Sequence, residues 1–579
     1  MNTVLFLILR RMRAPLLLLS AVYAVATLGL TLIPGIDDQG NVWHMDFFHA
    51  FYFVTFMGTT IGFGEIPYPF TDSQRMWTLI FIYITVATWI YAVGTLISLL
   101  QNETLKKAFL DYQFGINVKK LREPFILVAG YGDTGTKLVR SLRRRFIKAT
   151  IVDIAQDRLD ALLLDDFPMD VPGICADASD PDKLVMAGIR NPYCRAVVAL
   201  TDDNAVNLHI AITAKVMNPG LNVICRADSR NVEDNMMSFG TDHIIDPYQT
   251  FARQLVLAAK SPNQYALNEW FRSALDEPVP SRLEIAEGRW IICGFGRFGR
   301  AIYEELLSHG LTAQIIEPDA SIPDMPENTI IGDGTGVSTL TEANVSDAVG
   351  IIAGSDDDSN NLSIIVTARL LNPDLFVIIR QNKQANGDLF RQSKADIVME
   401  SSNVIAKNIR TLLTNPMIDE FLSLARAQDD AWASVLVDEL KYICPDKVSE
   451  VWAVTVGNRD AQAVMETISR GEEVLIRHLT LNHRDRDDNL PLIVLYHRNK
   501  NGAFCMPEPD TKIRIGDQLL FTGTAMARFN VQWNLQNIVA LSYIRTGLSE
   551  PQTWVGKHLL QKLQSSKATP PQPSQDIHN

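Results

Sequence analysis

Ala14 to Ile33 is a run of 20 residues without a charge. At about 1.5 Å per helical residue it reaches about 30 Å, one hydrocarbon core. It is too long for the apolar region of a signal peptide. A second uncharged run, Met76 to Leu100, is rich in Ile, Thr, Val and Tyr. Between them Met45 to Met57 is apolar and aromatic but only 13 residues long, which predicts a re-entrant helix and not a span. Such a helix is tolerated where protein or water surrounds its ends.

Beyond a charged connector, Gln101 to Glu123, the pattern changes to short apolar strands that run into helical segments. Phe125 to Ala129 leads into Gly130-Tyr131-Gly132-Asp133-Thr134-Gly135, and the strand Thr150 to Asp153 ends in an acid. Trp290 to Cys293 leads into Gly294-Phe295-Gly296-Arg297-Phe298-Gly299, and the strand Gln314 to Glu317 ends in an acid. Gly130 and Asp153 recur as Gly294 and Glu317 at the same offset of 164. Asn218 to Arg226 recurs as Asn372 to Arg380, offset 154, so the second copy lacks ten residues in its middle. This is an internal repeat of one βαβ-rich unit.

Each glycine-rich turn follows a strand, opens a helix and precedes an acid about twenty residues on, the context a dinucleotide fingerprint requires. The first Gly permits the tight turn, the second lets backbone approach a pyrophosphate, and the third lets helix and strand pack. The phosphate would rest on free N–H groups at the helix N-terminus. Asp153 and Glu317 would accept from ribose hydroxyls, which favours NAD(H) or an adenine nucleotide (ADP, ATP or AMP) over NADP(H). Asp133 should repel an anion where Arg297 attracts one, so tighter binding is expected in the second copy. The first copy's glycines also serve packing alone. Asp177 and Asp333 follow the third strands as further candidate nucleotide contacts. Acid-rich turns at Thr201–Asn204 and Ser355–Asp358 hold oxygen ligands of the kind Ca²⁺ takes, and helix caps account for the same residues. Nothing else in the sequence supports Ca²⁺.

Between the re-entrant segment and the second span lies Thr59-Thr60-Ile61-Gly62-Phe63-Gly64-Glu65. A K⁺ filter aims backbone carbonyls at a narrow axis, and alternating glycines permit that backbone. Thr60, Ile61, Gly62 and Phe63 would offer carbonyls to K⁺, with Gly64 closing the motif. Glu65 would stand at the outer mouth, either concentrating cations or bracing the filter from behind. Gly94, in the inner half of the second span, is a candidate gating hinge or a small residue for close packing. One chain offers one filter strand, so a homotetramer in membrane lipid is expected.

Arg10, Arg11 and Arg13 precede the first span, and Lys106, Lys107, Lys119, Lys120 and Arg122 follow the second. The intervening loop holds five acids against Arg75. This asymmetry predicts a multi-pass protein of the cell inner membrane with both termini cytoplasmic. The net charge of −13 argues against nucleic acid as a partner. The six cysteines form no CxxC pair and read as buried thiols of a reducing compartment.

The order of filter and tandem repeats resembles prokaryotic two-span K⁺ channels gated by RCK domains (regulators of K⁺ conductance), related to TrkA-type nucleotide-binding subunits, to about residue 545. The resemblance implies eight RCK domains in a ring under a tetrameric pore, whose shape changes with ligand. The expected fold is an α-helical pore domain of two spans plus a re-entrant helix, two α/β Rossmann-like RCK domains and a small α+β C-terminal lobe. The expected divisions are pore 1–100, linker 101–123, first Rossmann lobe 124–245, crossover helices 246–288, second Rossmann lobe 289–400, crossover helices 401–448, TrkA-C-like lobe 449–545 and a disordered tail 546–579. Phe63 stands where the family has Tyr, removing a bracing hydroxyl. The expected function is a nucleotide-gated K⁺ channel and not an enzyme. A nonselective cation channel with the same ring is the alternative. A membrane-anchored NAD-dependent oxidoreductase is disfavoured, since the ten histidines are scattered and form no catalytic constellation.

Overall fold

The computed structural model describes residues 2–101, 103–164, 171–275, 277–283 and 285–547. The chain divides into two compact units, one of Met1–Glu123, Thr150–Leu162 and Asp170–Tyr193, the other of Pro124–Ala149, Leu163–Met169 and Cys194–Asn579.

The chain opens with helix α1 (Asn2–Leu32), a hairpin of β1 (Pro34–Ile36) and β2 (Val42–His44), and helices α2 (Phe47–Gly58), α3 (Asp72–Leu100) and α4 (Glu103–Lys120). Arg10–Leu32 and Asp72–Leu99 are long and apolar enough to cross a membrane. α1 and α3 meet at Gly29, where a side chain would run into the Trp77 ring, and Trp77 Nε1 donates to Ala26 O at 3.2 Å. α2 begins where Asp46 Oδ1 accepts from His49 N at 2.8 Å, satisfying a donor the helix cannot. Its Ala50, Phe53, Val54, Phe56 and Met57 are buried together with Ala26, Leu30 and Phe70. With 12 residues, about 18 Å, it is too short to cross a hydrocarbon core, as the predicted re-entrant helix requires.

The first repeat comprises β3 (Phe125–Ala129), α5 (Asp133–Arg143), β4 (Lys148–Asp153), α6 (Gln156–Leu164), β5 (Gly173–Cys175), α7 (Pro181–Met186), β6 (Cys194–Ala199), α8 (Asn204–Met217), β7 (Asn222–Arg226), α9 (Arg230–Ser238) and β8 (His243–Ile245). In the second unit β3 pairs with β6, β6 with β7 and β7 with β8, all parallel. In the first unit β4 pairs with β5, also parallel. The connector expected as a linker is α4, which packs on β5 and α7 of that same unit. Its Phe114 and Val118, one turn apart, are buried, and Asp111 accepts from Lys183 Nζ of α7 at 2.9 Å.

Crossover helices α10 (Pro247–Lys260) and α11 (Pro262–Arg272) lead to the second repeat. It comprises β9 (Arg289–Cys293), α12 (Arg297–Ser308), β10 (Thr312–Glu317), β11 (Ile330–Ile331), α13 (Val337–Glu342), β12 (Gly350–Ala353), α14 (Asp358–Leu371), β13 (Phe376–Gln381), α15 (Gly387–Gln392) and β14 (Ile397–Glu400). Its strands are parallel in the order β11-β10-β9-β12-β13-β14. The order reverses between β9 and β12, the crevice where doubly wound sheets bind ligands. Buried on both faces, the strands read as continuous apolar runs. Burial also pushes the thiols of Cys194, Cys225 and Cys293 up to about 12, so these cysteines stay protonated.

Helices α16 (Ser401–Thr414), α17 (Met417–Ala425) and α18 (Asp430–Ile443) follow, then the C-terminal lobe. The lobe is β15 (Glu450–Thr455), α19 (Gln462–Ser469), α20 (Arg477–Thr480), β16 (Leu492–Asn499), β17 (Gly502–Cys505), β18 (Gln518–Gly523), α21 (Ala525–Gln536) and α22 (Ile538–Thr546), with its antiparallel sheet in the order β15-β18-β16-β17. The tail lies outside the described residues from position 548. The crossover helices are exchanged. Tyr248, Phe251, Leu255 and Val256 of α10 share a core with Phe298, Ile302 and Leu306 of α12. Reciprocally, α16 packs on α5, and Lys137 of α5 bonds Glu400 and, at 2.9 Å, Ser402 Oγ.

Candidate functional site

The expected filter loop starts where α2 stops. Thr60 N donates to Met57 O at 3.1 Å and Ile61 N to Phe56 O at 2.9 Å, folding the chain back over the helix end. Gly62 and Gly64 take φ of +68° and +106°, with open space where a Cβ would stand, so conformation alone calls for glycine there. Thr60 also lies at +61°, which costs a non-glycine residue about 1–2 kcal/mol. The Phe63 ring stands edge-on to Phe56 at 5.6 Å and stacks toward Tyr52 at 6.5 Å. Gly94 lies inside the unbroken α3, and a Cβ there would meet nothing within 4 Å. Within one chain, therefore, no close packing accounts for it.

Glu65 had two expected roles, and its contacts favour one. Its Oε1 accepts from Arg75 Nε at 2.9 Å, and its Oε2 accepts from Phe70 N at 2.8 Å and Arg75 Nη2 at 3.2 Å. The Arg75 hydrogen bonds, then the Phe70 N–H, hold the carboxyl below its usual range. Paired in this way it braces its own loop. A carboxylate paired with a guanidinium presents little net charge, so the contacts favour bracing over concentrating cations.

In the second repeat, Gly294 takes φ +99°, and a Cβ there would press on Ser355 N at 3.2 Å. A Cβ on Gly299 would overlap Gly294 O, so the third glycine sets how closely α12 meets the turn. Gly296, at the N-cap of α12, faces open space, leaving the room a phosphate needs. Glu317, 6% exposed, turns its carboxylate to this loop: Oε2 accepts from Phe295 N at 2.5 Å and Oε1 from Asp319 N at 3.1 Å. Each oxygen keeps a lone pair for a ribose hydroxyl. Phe295 and Phe298 are buried and act as packing groups. The loop therefore fits a nucleotide.

Arg297 does not stand as expected. Its Nη1 donates to Asp228 Oδ2 at 2.7 Å, and its guanidinium lies 5.6 Å from the Tyr248 ring centre. Asp228 belongs to the first repeat and Tyr248 to the crossover helix α10. A reading of one fingerprint at a time could not see an acid 69 residues upstream. Arg380 also stands 5.2 Å from the Tyr248 ring centre, donates to the Tyr248 hydroxyl at 3.1 Å and pairs with Asp356 at 2.7 Å. Tyr248, Asp228 and Arg380 were missed as site residues; the alignment of Arg226 with Arg380 was the only signal.

In the first repeat Gly130 takes φ +101°, and a Cβ there would press on the Leu200 carbonyl carbon at 2.8 Å. A Cβ on Gly135 would overlap Gly130 O. Gly132 caps α5, Asp133 opens it in solvent, and Tyr131 and Thr134 are buried. Asp153, buried, accepts from Ala155 N at 2.8 Å, with Arg158 3.5 Å away. Asp177 and Asp333 each fold a turn of their own, accepting from Ser179 N at 2.8 Å and Thr335 N at 3.0 Å. The Thr335 N–H holds the Asp333 carboxyl below its usual range.

The acid-rich turns are caps and ion pairs. Asp203 and Asp357 cap α8 and α14, Asp202 pairs with Arg226 at 2.9 Å, and Asp358 Oδ1 accepts from Asn382 N at 2.7 Å. Among the described residues no group of three or more His, Cys, Asp or Glu side chains is placed to hold a metal ion.

Residues 126–247 and 290–401 match the TrkA-N domain, and residues 17–102 match the ion channel family. In sequence order, then, one segment similar to ion channels precedes two similar to TrkA-N. Potassium channel protein 1 of Methanocaldococcus jannaschii is 25% identical over 218 residues, which are 38% of this chain and 64% of that protein. The voltage-gated potassium channel Kch of Escherichia coli is 26% identical over 211 residues, 36% of this chain and 48% of that protein. The chain thus spans less than two thirds of the length of these relatives. Among solved structures, a GsuK channel bound to NAD is 16% identical with a TM-score of 0.46, covering 92% of this chain and 99% of that one.

Proposed function

We propose that the protein is a ligand-gated potassium channel. The observation that carries this reading is the re-entrant α2 followed at once by Thr60–Gly64, with left-handed backbone at Gly62 and Gly64, between two helices of spanning length. K⁺, the substrate, would be held by the carbonyls of Thr60, Ile61, Gly62 and Phe63. One chain supplies one strand of such a ring, so four copies surround the pore. The charge asymmetry supports a cytoplasmic side for both termini and for the segments that match TrkA-N, with the spans in the cell inner membrane. Lipid covers exposed apolar residues such as Leu17, Leu28, Tyr83 and Ile90.

NAD(H) or an adenine nucleotide (ADP, ATP or AMP) binds the second TrkA-N domain, its phosphate on the N–H groups that open α12 and its ribose at Glu317. It is bound and released unchanged, and it moves the gate by its differential affinity for the gate's two states. Planar-bilayer recording of the purified protein tests this. K⁺-selective unitary current altered by one of NAD⁺, NADH, ADP, AMP or ATP on the cytoplasmic face is the expected result. Equal Na⁺ current would overturn the filter assignment in favour of a nonselective cation channel, a reading that the missing hydroxyl at Phe63 favours. K⁺ current indifferent to every nucleotide would overturn the gating half.

A further inference from the structure

At the carboxyl ends of the strands, charged side chains from both repeats alternate. Asp202 pairs with Arg226 at 2.9 Å, Arg226 Nε with Asp228 at 3.1 Å, and Asp228 with Arg297 at 2.7 Å. Asp228 is 7% exposed and doubly held, whereas the Arg297 side chain is 57% exposed. Arg297 is also the first residue of α12, directly after the open Gly296.

We propose that Asp228 is a built-in competitor for Arg297, so that a nucleotide phosphate at the second repeat must displace it and thereby unties Arg297 from the first repeat. The inference rests on the nucleotide reading of that site. The guanidinium lies over Tyr248 of α10 and is bonded to Asp228 of the first repeat, so its charge is already engaged outside its own glycine loop. Asp228, buried and bonded to Arg226, cannot follow if Arg297 swings back. A phosphate is the stronger rival, since it carries up to two charges and accepts both edges of a guanidinium. Arg380 offers no substitute, because Asp356 and the Tyr248 hydroxyl hold it. The pair also exists only once in the repeat alignment. Asp133 stands at the position of Arg297 in the first copy, and Asn382 stands at the position of Asp228 in the second.

Calorimetric titration of the solubilised full chain with ADP, and with adenosine as the phosphate-free control, tests the idea. Asp228→Asn should tighten ADP about two- to tenfold, the range expected of a half-exposed charge pair, and leave adenosine unchanged. Arg297→Gln should weaken ADP, and adding Asp228→Asn to it should have no further effect. Weaker ADP binding by Asp228→Asn would make Asp228 a positioning residue and overturn the inference. So would unchanged ADP binding, or equal tightening of adenosine. Wild-type protein that binds no ADP would bring down the nucleotide reading itself, and this inference with it.

Discussion

Glu65 and Arg75, ten residues apart, are joined by two hydrogen bonds of 2.9 and 3.2 Å just beyond the glycines of the pore loop. The Arg75 hydrogen bonds depress the Glu65 carboxyl, so the brace is fully present above the ordinary carboxylate range and is lost as pH falls through the lowered value. K⁺ over Na⁺ selectivity should therefore be flat above about pH 5 on the outer side. Glu65→Gln should loosen it at neutral pH. Bi-ionic reversal potentials read both effects; selectivity in Glu65→Gln equal to wild type would show that the loop holds without the brace.

The second and third glycines of the second fingerprint should separate binding from folding. Gly296 faces open space, so Gly296→Ala should leave the melting temperature unchanged and weaken ADP by about tenfold or more, the methyl taking the place of the phosphate's closest approach. Gly299→Ala places a methyl on Gly294 O and should destabilise the chain by about 1–3 kcal/mol. Thermal melts alongside calorimetry distinguish the two, and equal losses in both assays would contradict the assignment.

Lys137 and Glu400 tie the first fingerprint helix to the end of the second sheet, each less than one-fifth exposed. A double-mutant cycle with Lys137→Met and Glu400→Gln should give a coupling of about 1–3 kcal/mol, above the value for a surface pair. Additive effects would mean the pair contributes nothing beyond packing.

His497 Nε2 and Asp517 Oδ2 lie 2.8 Å apart in the core of the C-terminal lobe, and the same carboxylate oxygen accepts from Arg514 N at 2.9 Å. Asp517→Ala leaves both groups without their partner and should cost about 3 kcal/mol. Chemical unfolding followed at Trp452 and Trp533 measures it.

The spans were legible because an uncharged run of 20 residues has few other uses, and the repeats because two fingerprints kept one offset. The pore helix fell within two residues of its prediction, Phe47–Gly58 against Met45–Met57. The connector was not legible. Its buried Phe114 and Val118 are too few to stand out among charges, and only packing of α4 on β5 and α7 gives the helix a buried face. Asp203 and Asp357 show a second limit. A cap and a ligand need the same side chain at the same place, and only the backbone N–H groups that Asp203 and Asp357 meet decide between them. Arg297 shows a third, because its partner belongs to the other repeat.

Two residues separate the end of α3 at Leu100 from the start of α4 at Glu103. α4 is itself clamped to the first repeat through Asp111–Lys183 and the buried Phe114 and Val118. A coiled tether would store slack and swallow small displacements in its own bending. An 18-residue helix, about 27 Å long, works as a crank arm. In the proposed channel a rotation of α7 would reach the foot of α3 through this arm, so the throw of the gate would follow from the length and pivot of α4 and not from how tightly a ligand is held.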